Sequence, residues 1–419
     1  MTAHERRAWL VVATLFTTLL FVFGAAFFTA GIFFTPLIHQ FGWSRAELSA
    51  VTSALLVTTG LSAPVFGWIL DQVDARVLMT AGVALSGVAF VGASRIHTFA
   101  ALFIFYILLG LGVGASSLLP ATFVVANWFE AGRGLAMGIT TAGTSVGGMV
   151  MTLVANWAIR FGGWRFGFVL LALPMFVIVI PLVALTLRSR PAERDPRNVY
   201  GNNDLPGLEV GPALCTRSFW MLSIGQFCFG YVGPGAVLHL VPYLIGIGYS
   251  VNAGALALSL MLGFISVGKL LFGWIGDQLT GRASLGLDFI TATVGLILLL
   301  AARHPVALWA MVPILGCAVG SPVALMPMVT AESLGLKRLG SLIGLSNLPY
   351  TIGAALGPIM SGHIFDLTHS YTIAFEVFIA LAIVGAAASF ACRDLATEQA
   401  YAAERAKGPA ARAAASMHH

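Results

Sequence analysis

Charge is the scarcest property of this sequence: Asp, Glu, Lys and Arg together make up 9% of its 419 residues, against roughly 25% in soluble domains. With 58% hydrophobic residues and a mean hydropathy of +0.91, a soluble fold would have too little polar surface to cover the rest. Cysteine is scarce as well. Cys215, Cys228, Cys317 and Cys392 are scattered, with no CxxC or Cys/His spacing, so they read as reduced packing residues. The net charge is +5, but the basic residues lie in short gaps between apolar runs and form no basic face with interleaved aromatics. That excludes nucleic acid as a partner. A membrane-embedded enzyme would need a nucleophile, a metal set or a carboxylate pair near an interface, and no His/Asp/Glu cluster of that kind occurs. No enzymatic activity, metal or cofactor is expected. A receptor would add a soluble sensor or effector domain, and no polar segment is long enough to form one.

What the sequence does have is apolar runs, almost end to end. A bilayer-spanning helix needs about 20 apolar residues at 1.5 Å rise each. Taking polar gaps as boundaries predicts twelve helices, at 10–35, 47–70, 77–95, 99–127, 134–159 and 166–187, then at 219–246, 253–276, 284–302, 306–332, 340–364 and 371–391. The first run, from Trp9 to about Phe34, is too long for a signal-peptide core and lacks a cleavage site, so it is expected to be retained. The expected fold is all-α and membrane-integral, with a six-helix bundle over 1–187, a cytoplasmic linker over 188–217, a second six-helix bundle over 218–392 and a cytoplasmic tail over 393–419. The linker, rich in Pro, Gly, Asn and charge, has room for a short interfacial helix.

The halves repeat one another. Phe66 to Arg76 reads FGWILDQVDAR and Phe272 to Arg282 reads FGWIGDQLTGR, an offset of 206 that is close to half the chain. Such self-similarity marks a duplication. Each copy falls where the second helix of its half runs into a tight turn. Gly67 and Gly273 allow close helix approach there, and Asp71, Arg76, Asp277 and Arg282 can pair or cap neighbouring helix ends, gating that face. A satisfied interfacial turn without a gating role is the plainer alternative.

Lys and Arg are distributed unevenly. Sixteen lie on the side that holds both termini and the linker, and five (Arg45, Arg95, Arg160, Arg165, Arg303) on the other. The positive-inside rule therefore places termini and linker in the cytoplasm, and the expected location is the inner (plasma) membrane.

Lys269 belongs to neither side. It lies eight residues, about 12 Å, from Asp277, well inside the hydrocarbon, and the offset of 206 pairs it with Ala63. A buried ammonium costs on the order of 2.5–3.5 kcal/mol on insertion scales unless paired. No acid lies one turn away, since Ile265 and Gly273 occupy those positions. Its counter-ion can be the substrate, which implies an organic anion with one carboxylate. The alternatives are snorkelling to the interface or pairing with an acid elsewhere, Glu376 first. His239, near the far end of helix 7, is a candidate proton acceptor or a histidine bonded to a backbone carbonyl. Asn347 and Tyr350 share a turn of helix 11 as candidate substrate ligands or as packing residues, and Asn127, Asn156 and Gln226 are further candidates to face a lumen. The glycines and serines of helices 4 and 5 read as close-packing residues.

Twelve helices, the central linker and GxxxDxxxxR after helices 2 and 8 resemble the major facilitator superfamily. Members carry a basic residue after the Asp and a Gly two further on; here Gln72 and Asp74, then Gln278 and Thr280, stand there. FFTPLIHQFGWSRAELS at 33–49, NWFEAGRGLAMG at 127–138, GGWRFGF at 162–168, HLVPYLIGIGYS at 239–250 and GPIMSGHIFDLTHSY at 357–371 resemble the branch of monocarboxylate transporters and oxalate/formate antiporters. The resemblance implies two bundles rocking around a midplane site, and a helix-8 cation, at the position of Lys269, that binds the substrate carboxylate. Proton-coupled members carry an Asp at the position of Ile265. The expected function is secondary active transport of a small carboxylate, a proton-coupled symporter working by alternating access as a monomer. A carboxylate exchanger and an efflux carrier of amphipathic compounds are the alternatives.

Overall fold

The computed structural model describes residues 3–191 and 205–406. Over these residues the chain is helical, with one isolated β-bridge between Gly207 and Gly335. Ten helices are long and apolar enough to cross a membrane. One of them, the 54-residue Arg133–Thr186, holds two crossings, because Gly163 adopts φ 78° and ψ 175° and turns the chain back. Pro305–Gly320 and Pro322–Leu334 form a further span, bent by 40°. Among the described residues twelve crossings result, each within a few residues of its expected range except the first, which runs over 3–41 where 10–35 is expected. We label them α1 (3–41), α2 (Arg45–Leu70), α3 (Ala75–Ala93), α4 (Phe99–Trp128), α5 (133–162), α6 (164–186), α7 (Arg217–Gly246), α8 (Val251–Gln278), α9 (Gly281–Leu300), α10 (305–334), α11 (Leu339–Thr368) and α12 (Thr372–Ala391).

Local chemistry sets the helix ends. At the far face, opposite the linker, Gly42 closes α1 in the left-handed conformation (φ 71°), a geometry that favours glycine. Ser44 then opens α2 with a capping box: the Glu47 amide donates to Ser44 Oγ at 3.2 Å and the Ser44 amide donates to Glu47 Oε2 at 2.8 Å. Trp43 stacks on Phe41, ring centroids 4.4 Å apart, and meets Phe99 edge-on. Trp164, just past the Gly163 turn, donates to Gln40 Oε1 at 2.5 Å and carries Arg165 over its ring. The FGWS and GGWRF stretches are therefore a clasp joining α1, α2, α4 and α6, remote from the bilayer centre.

The two six-helix bundles are related by the 206 offset. In the first, α2 packs on α4, α3 on α4 and α1 on α5; in the second, α8 packs on α10, α9 on α12 and α7 on α12. Between the bundles α2 lies along α11 and α5 along α8, while α7 lies along α11 within the second bundle. The crossings between bundles are backbone-close. A Cβ on Gly344 would strike the Ala63 carbonyl, and one on Gly138 would strike the Lys269 carbonyl, so these glycines permit an approach that alanine would prevent.

The expected linker residues 192–204 and tail residues 407–419 lie outside the described residues, and with them Arg194, Arg197, Lys407 and Arg412. The rest of the linker is pinned to the α10–α11 turn. Leu208 N donates to Leu334 O at 3.0 Å and Leu336 N to Pro206 O at 2.8 Å, and Glu209 pairs with Lys337 at 3.2 Å and Arg338 at 2.8 Å. A five-residue helix, Val210–Leu214, follows. The expected tail forms a helix over Leu395–Ala406 and buries Glu398 against the start of α7, where its Oε1 accepts from Ser218 N at 3.0 Å and Ser218 Oγ at 2.6 Å. None of the four cysteines forms a disulfide. Cys228 and Cys392 are buried, but Cys215 is exposed, a correction to its reading as a packing residue.

Candidate functional site

Lys269 is 3% exposed. Its ammonium crosses from α8 to α5 and donates all three protons there: to Thr141 O at 3.1 Å, Thr144 Oγ1 at 2.8 Å and Ser145 Oγ at 2.9 Å. Glu376 is exposed and takes no part. The lysine therefore neither snorkels nor pairs with an acid; neutral oxygens satisfy its donors and leave its charge uncompensated. Thr144 Oγ1 in turn donates a hydrogen bond to Thr141 O at 2.8 Å. Ser145, half-buried, accepts from the lysine and retains a hydroxyl proton that can be given to an anion.

The repeat offset explains where the other expected ligands fall. Thr141, Thr144 and Ser145 correspond to Asn347, Tyr350 and Thr351, and α11 meets α2 as α5 meets α8. Asn347 and Tyr350 thus occupy in one inter-bundle contact the positions whose counterparts hold Lys269 in the other. Opposite them stands Ala63, where no cation reaches across. The Tyr350 ring packs on Phe229, centroids 5.2 Å apart. The structure therefore does not bring Asn347 or Tyr350 into hydrogen bonding with Lys269, and the residues that do bond it, Thr141, Thr144 and Ser145, escaped the sequence reading because small residues in a glycine-rich helix look like packing.

The duplicated turns close the linker face. A helix start leaves backbone N–H groups unbonded, and α5 and α11 begin at Gly132 and Arg338 with no side-chain cap of their own. The opposite bundle supplies the caps. Asp277, at the end of α8, accepts from Gly134 N at 2.7 Å and Leu135 N at 2.8 Å. Asp71, at the end of α2, accepts from Gly340 N and Ser341 N at 2.9 Å each and from Ser341 Oγ at 2.5 Å. Burial raises the Asp71 carboxyl above its ordinary value, against the pull of these donors. Gly67 abuts Gly340 and Gly273 abuts Gly134, backbone on backbone. The arginines of the motif do not pair with these aspartates: Arg282 Nη1 donates to Cys392 O at 3.1 Å, and Asp74 holds the Arg76 amide at 2.9 Å. Of the two expected arrangements, the structure adopts capping.

His239 is buried with Nε2 3.0 Å from Pro358 O and its ring 5.1 Å from Tyr371, the backbone-bonded arrangement. Asn127 lies away from any lumen, since Arg190 Nε donates to its Oδ1 at 3.2 Å at the start of the linker. Asn156 is exposed.

The model of the Major Facilitator Superfamily matches residues 16–358. The chain is 26% identical over 390 residues to an uncharacterized MFS-type transporter, YcxA, of Bacillus subtilis (strain 168), covering 90% of this chain and 93% of that one. It is 26% identical over 381 residues to monocarboxylate transporter 13 of Bos taurus, covering 90% and 87%. The fold is similar to that of the proton:xylose symporter XylE, with a TM-score of 0.73 at 15% identity over 92% of this chain and 95% of that one. It is also similar to FucP in the outward conformation, with a TM-score of 0.68 at 16% identity over 90% and 98%. The chain therefore belongs to the major facilitator superfamily and is a multi-pass membrane transporter.

Proposed function

We propose that this chain is a proton-coupled symporter of a small monocarboxylate, with Lys269 as the group that binds the carboxylate. One observation carries the reading: an ammonium buried between the bundles, hydrogen-bonded only to neutral oxygens. Similarity to proteins named monocarboxylate transporters supports it. A single fixed cation suits one carboxylate, and Ser145 stands ready to donate to the second carboxylate oxygen. Neutralising Lys269 with substrate lowers the cost of closing apolar surface around it, so occupancy and conformation become linked. Asn347 and Tyr350 on α11 line the opposite side of the substrate, and His239, bonded to Pro358 O in this conformation, is a candidate proton acceptor in another.

The moving units are residues 1–187 and 218–392, joined by the linker 188–217 and followed by the tail 393–419, and one chain is the working unit. Termini and linker are cytoplasmic by the charge asymmetry, which makes the face capped by Asp71 and Asp277 the cytoplasmic gate in an inner (plasma) membrane. Alternating access then requires both caps to release when that face opens.

Uptake of radiolabelled monocarboxylates into proteoliposomes tests this reading. Wild-type protein should accumulate at least one under an inward proton gradient without internal substrate, and Lys269→Ala should not. Normal uptake of every tested acid by Lys269→Ala would refute the role of the lysine, and an absolute need for internal carboxylate would replace symport by exchange.

A further inference from the structure

Asp288, on α9, is 1% exposed, and both of its carboxyl oxygens are buried with no hydrogen bond of good geometry, the Ser321 hydroxyl being the polar group beside it. No other carboxyl group among the described residues has both oxygens in that state. It faces the bend of α10, where Pro305–Gly320 gives way to Pro322–Leu334 through Ser321. The Ser321 hydroxyl beside it donates instead to Cys317 O at 2.5 Å.

The repeat shows that this carboxyl is not a requirement of the architecture. At the 206 offset Asp288 corresponds to Gly82 and Ser321 to Ala115. Gly82 packs so closely on Gly112, Ala115 and Ser116 that an added Cβ would lie 2.7–2.9 Å from them. The first bundle fills the place with close contact to the Gly112 carbonyl and the Cβ atoms of Ala115 and Ser116, whereas the second installs a carboxyl and a hydroxyl.

Among the described residues no cation faces this carboxyl. Of the titratable groups on the elements packed against α9, Lys269 and Asp277 on α8 are both directed to α5. Glu332 on α10 accepts from Gly281 N, at the start of α9. Glu376 on α12 is exposed, as are Arg303 and His304 before α10. Arg282 on α9 itself donates to Cys392 O. Cys317 alone faces Asp288, and it is no cation. An unpaired carboxylate in hydrocarbon is costly, and a bound proton removes that cost.

We propose that Asp288 is an intramembrane proton-binding site, neutral while buried against the α10 bend and ionised when the bend admits water. The proton comes from water onto a carboxyl oxygen and returns to water in the conformation that wets the site. Movement at the bend thereby carries a proton from one exposure to the other. The protonation itself stands apart from the carboxylate reading; its use in transport rests on that reading.

Two measurements separate the two claims. Infrared spectra of the full-length protein in lipid nanodiscs at neutral pH should contain the C=O band of a buried protonated carboxyl. That band should shift in D2O, move in frequency in Asp288→Glu and vanish in Asp288→Asn, which is isosteric with the neutral acid. A band unchanged in both variants, or absent from the wild type, overturns the proposal. In proteoliposomes with L-lactate as the probe, Asp288→Asn should retain lactate counterflow and lose accumulation driven by an imposed proton gradient. Gradient-driven accumulation equal to wild type overturns the coupling role. If the wild type moves no lactate and no other monocarboxylate, the carboxylate reading fails and the infrared comparison alone decides the fate of Asp288.

Discussion

Lys269 keeps its three protons bonded and its charge unmatched, and these two properties separate in variants. Lys269→Met removes an ammonium from hydrocarbon, relieving an insertion cost on the order of 2.5–3.5 kcal/mol, while Thr144 still donates to Thr141 O. Carboxylate uptake should vanish with no loss of thermal stability in detergent; a variant that unfolds instead would mark the lysine as structural. Thr144→Val has the opposite signature. It deprives one buried N–H of its acceptor, which should destabilise the protein by about 1–3 kcal/mol, and Thr144→Ser should restore most of that in the same unfolding assay.

At the scale of elements, the two caps donated across the bundle interface are the testable feature. Removing an N-cap costs about 1 kcal/mol, so Asp71→Ala or Asp277→Ala should each shift the balance toward an open linker face about fivefold. Spin labels at the exposed Val73 and Leu279 turns, in a background without native cysteines, report it: the distance distribution should gain a longer component in either variant and more in the double variant. Unchanged distributions would leave the aspartates as mere turn residues. The helices themselves were legible because each apolar run is as long as a bilayer is thick, and the 206 offset made the two halves legible as copies, although the α2–α11 and α5–α8 contacts that relate them emerge only in the structure. Which side chains meet across those contacts was not legible from composition. Thr141, Thr144 and Ser145 look like packing residues until the offset maps them onto Asn347, Tyr350 and Thr351. Asp288 likewise sits in an apolar run without warning, and its pairing with Gly82 is the signal that finds it. The caps were half legible: the duplicated Asp announced a gate, but that it would bond backbone amides of the other bundle depends on where α5 and α11 begin.

For the molecule as a whole, the linker is fastened to the second bundle by Glu209 on Lys337 and Arg338. The hydrogen bond from Arg338, the largest effect, holds the Glu209 carboxyl below its ordinary value against the opposing effect of burial, and Lys337 adds a smaller pull in the same direction as Arg338. A depressed carboxylate pKa adds stability that is present above the unfolded value and is lost as pH falls through the folded one. Acidification into and below the carboxylate range should therefore loosen residues 205–215, seen as faster amide exchange, and Glu209→Gln should show that faster exchange already at neutral pH. Equal exchange in both proteins would mean that the backbone pairing of Leu208 and Leu336 holds the strap unaided.

The central claim is that a carboxylate is the missing counter-charge of Lys269. Isothermal titration of monocarboxylates into purified wild-type protein and Lys269→Met, with the methyl ester of each acid as a neutral control, addresses it directly. The wild type should bind at least one acid but not its ester, and the variant should bind neither. Binding of that acid to Lys269→Met with wild-type affinity would contradict it.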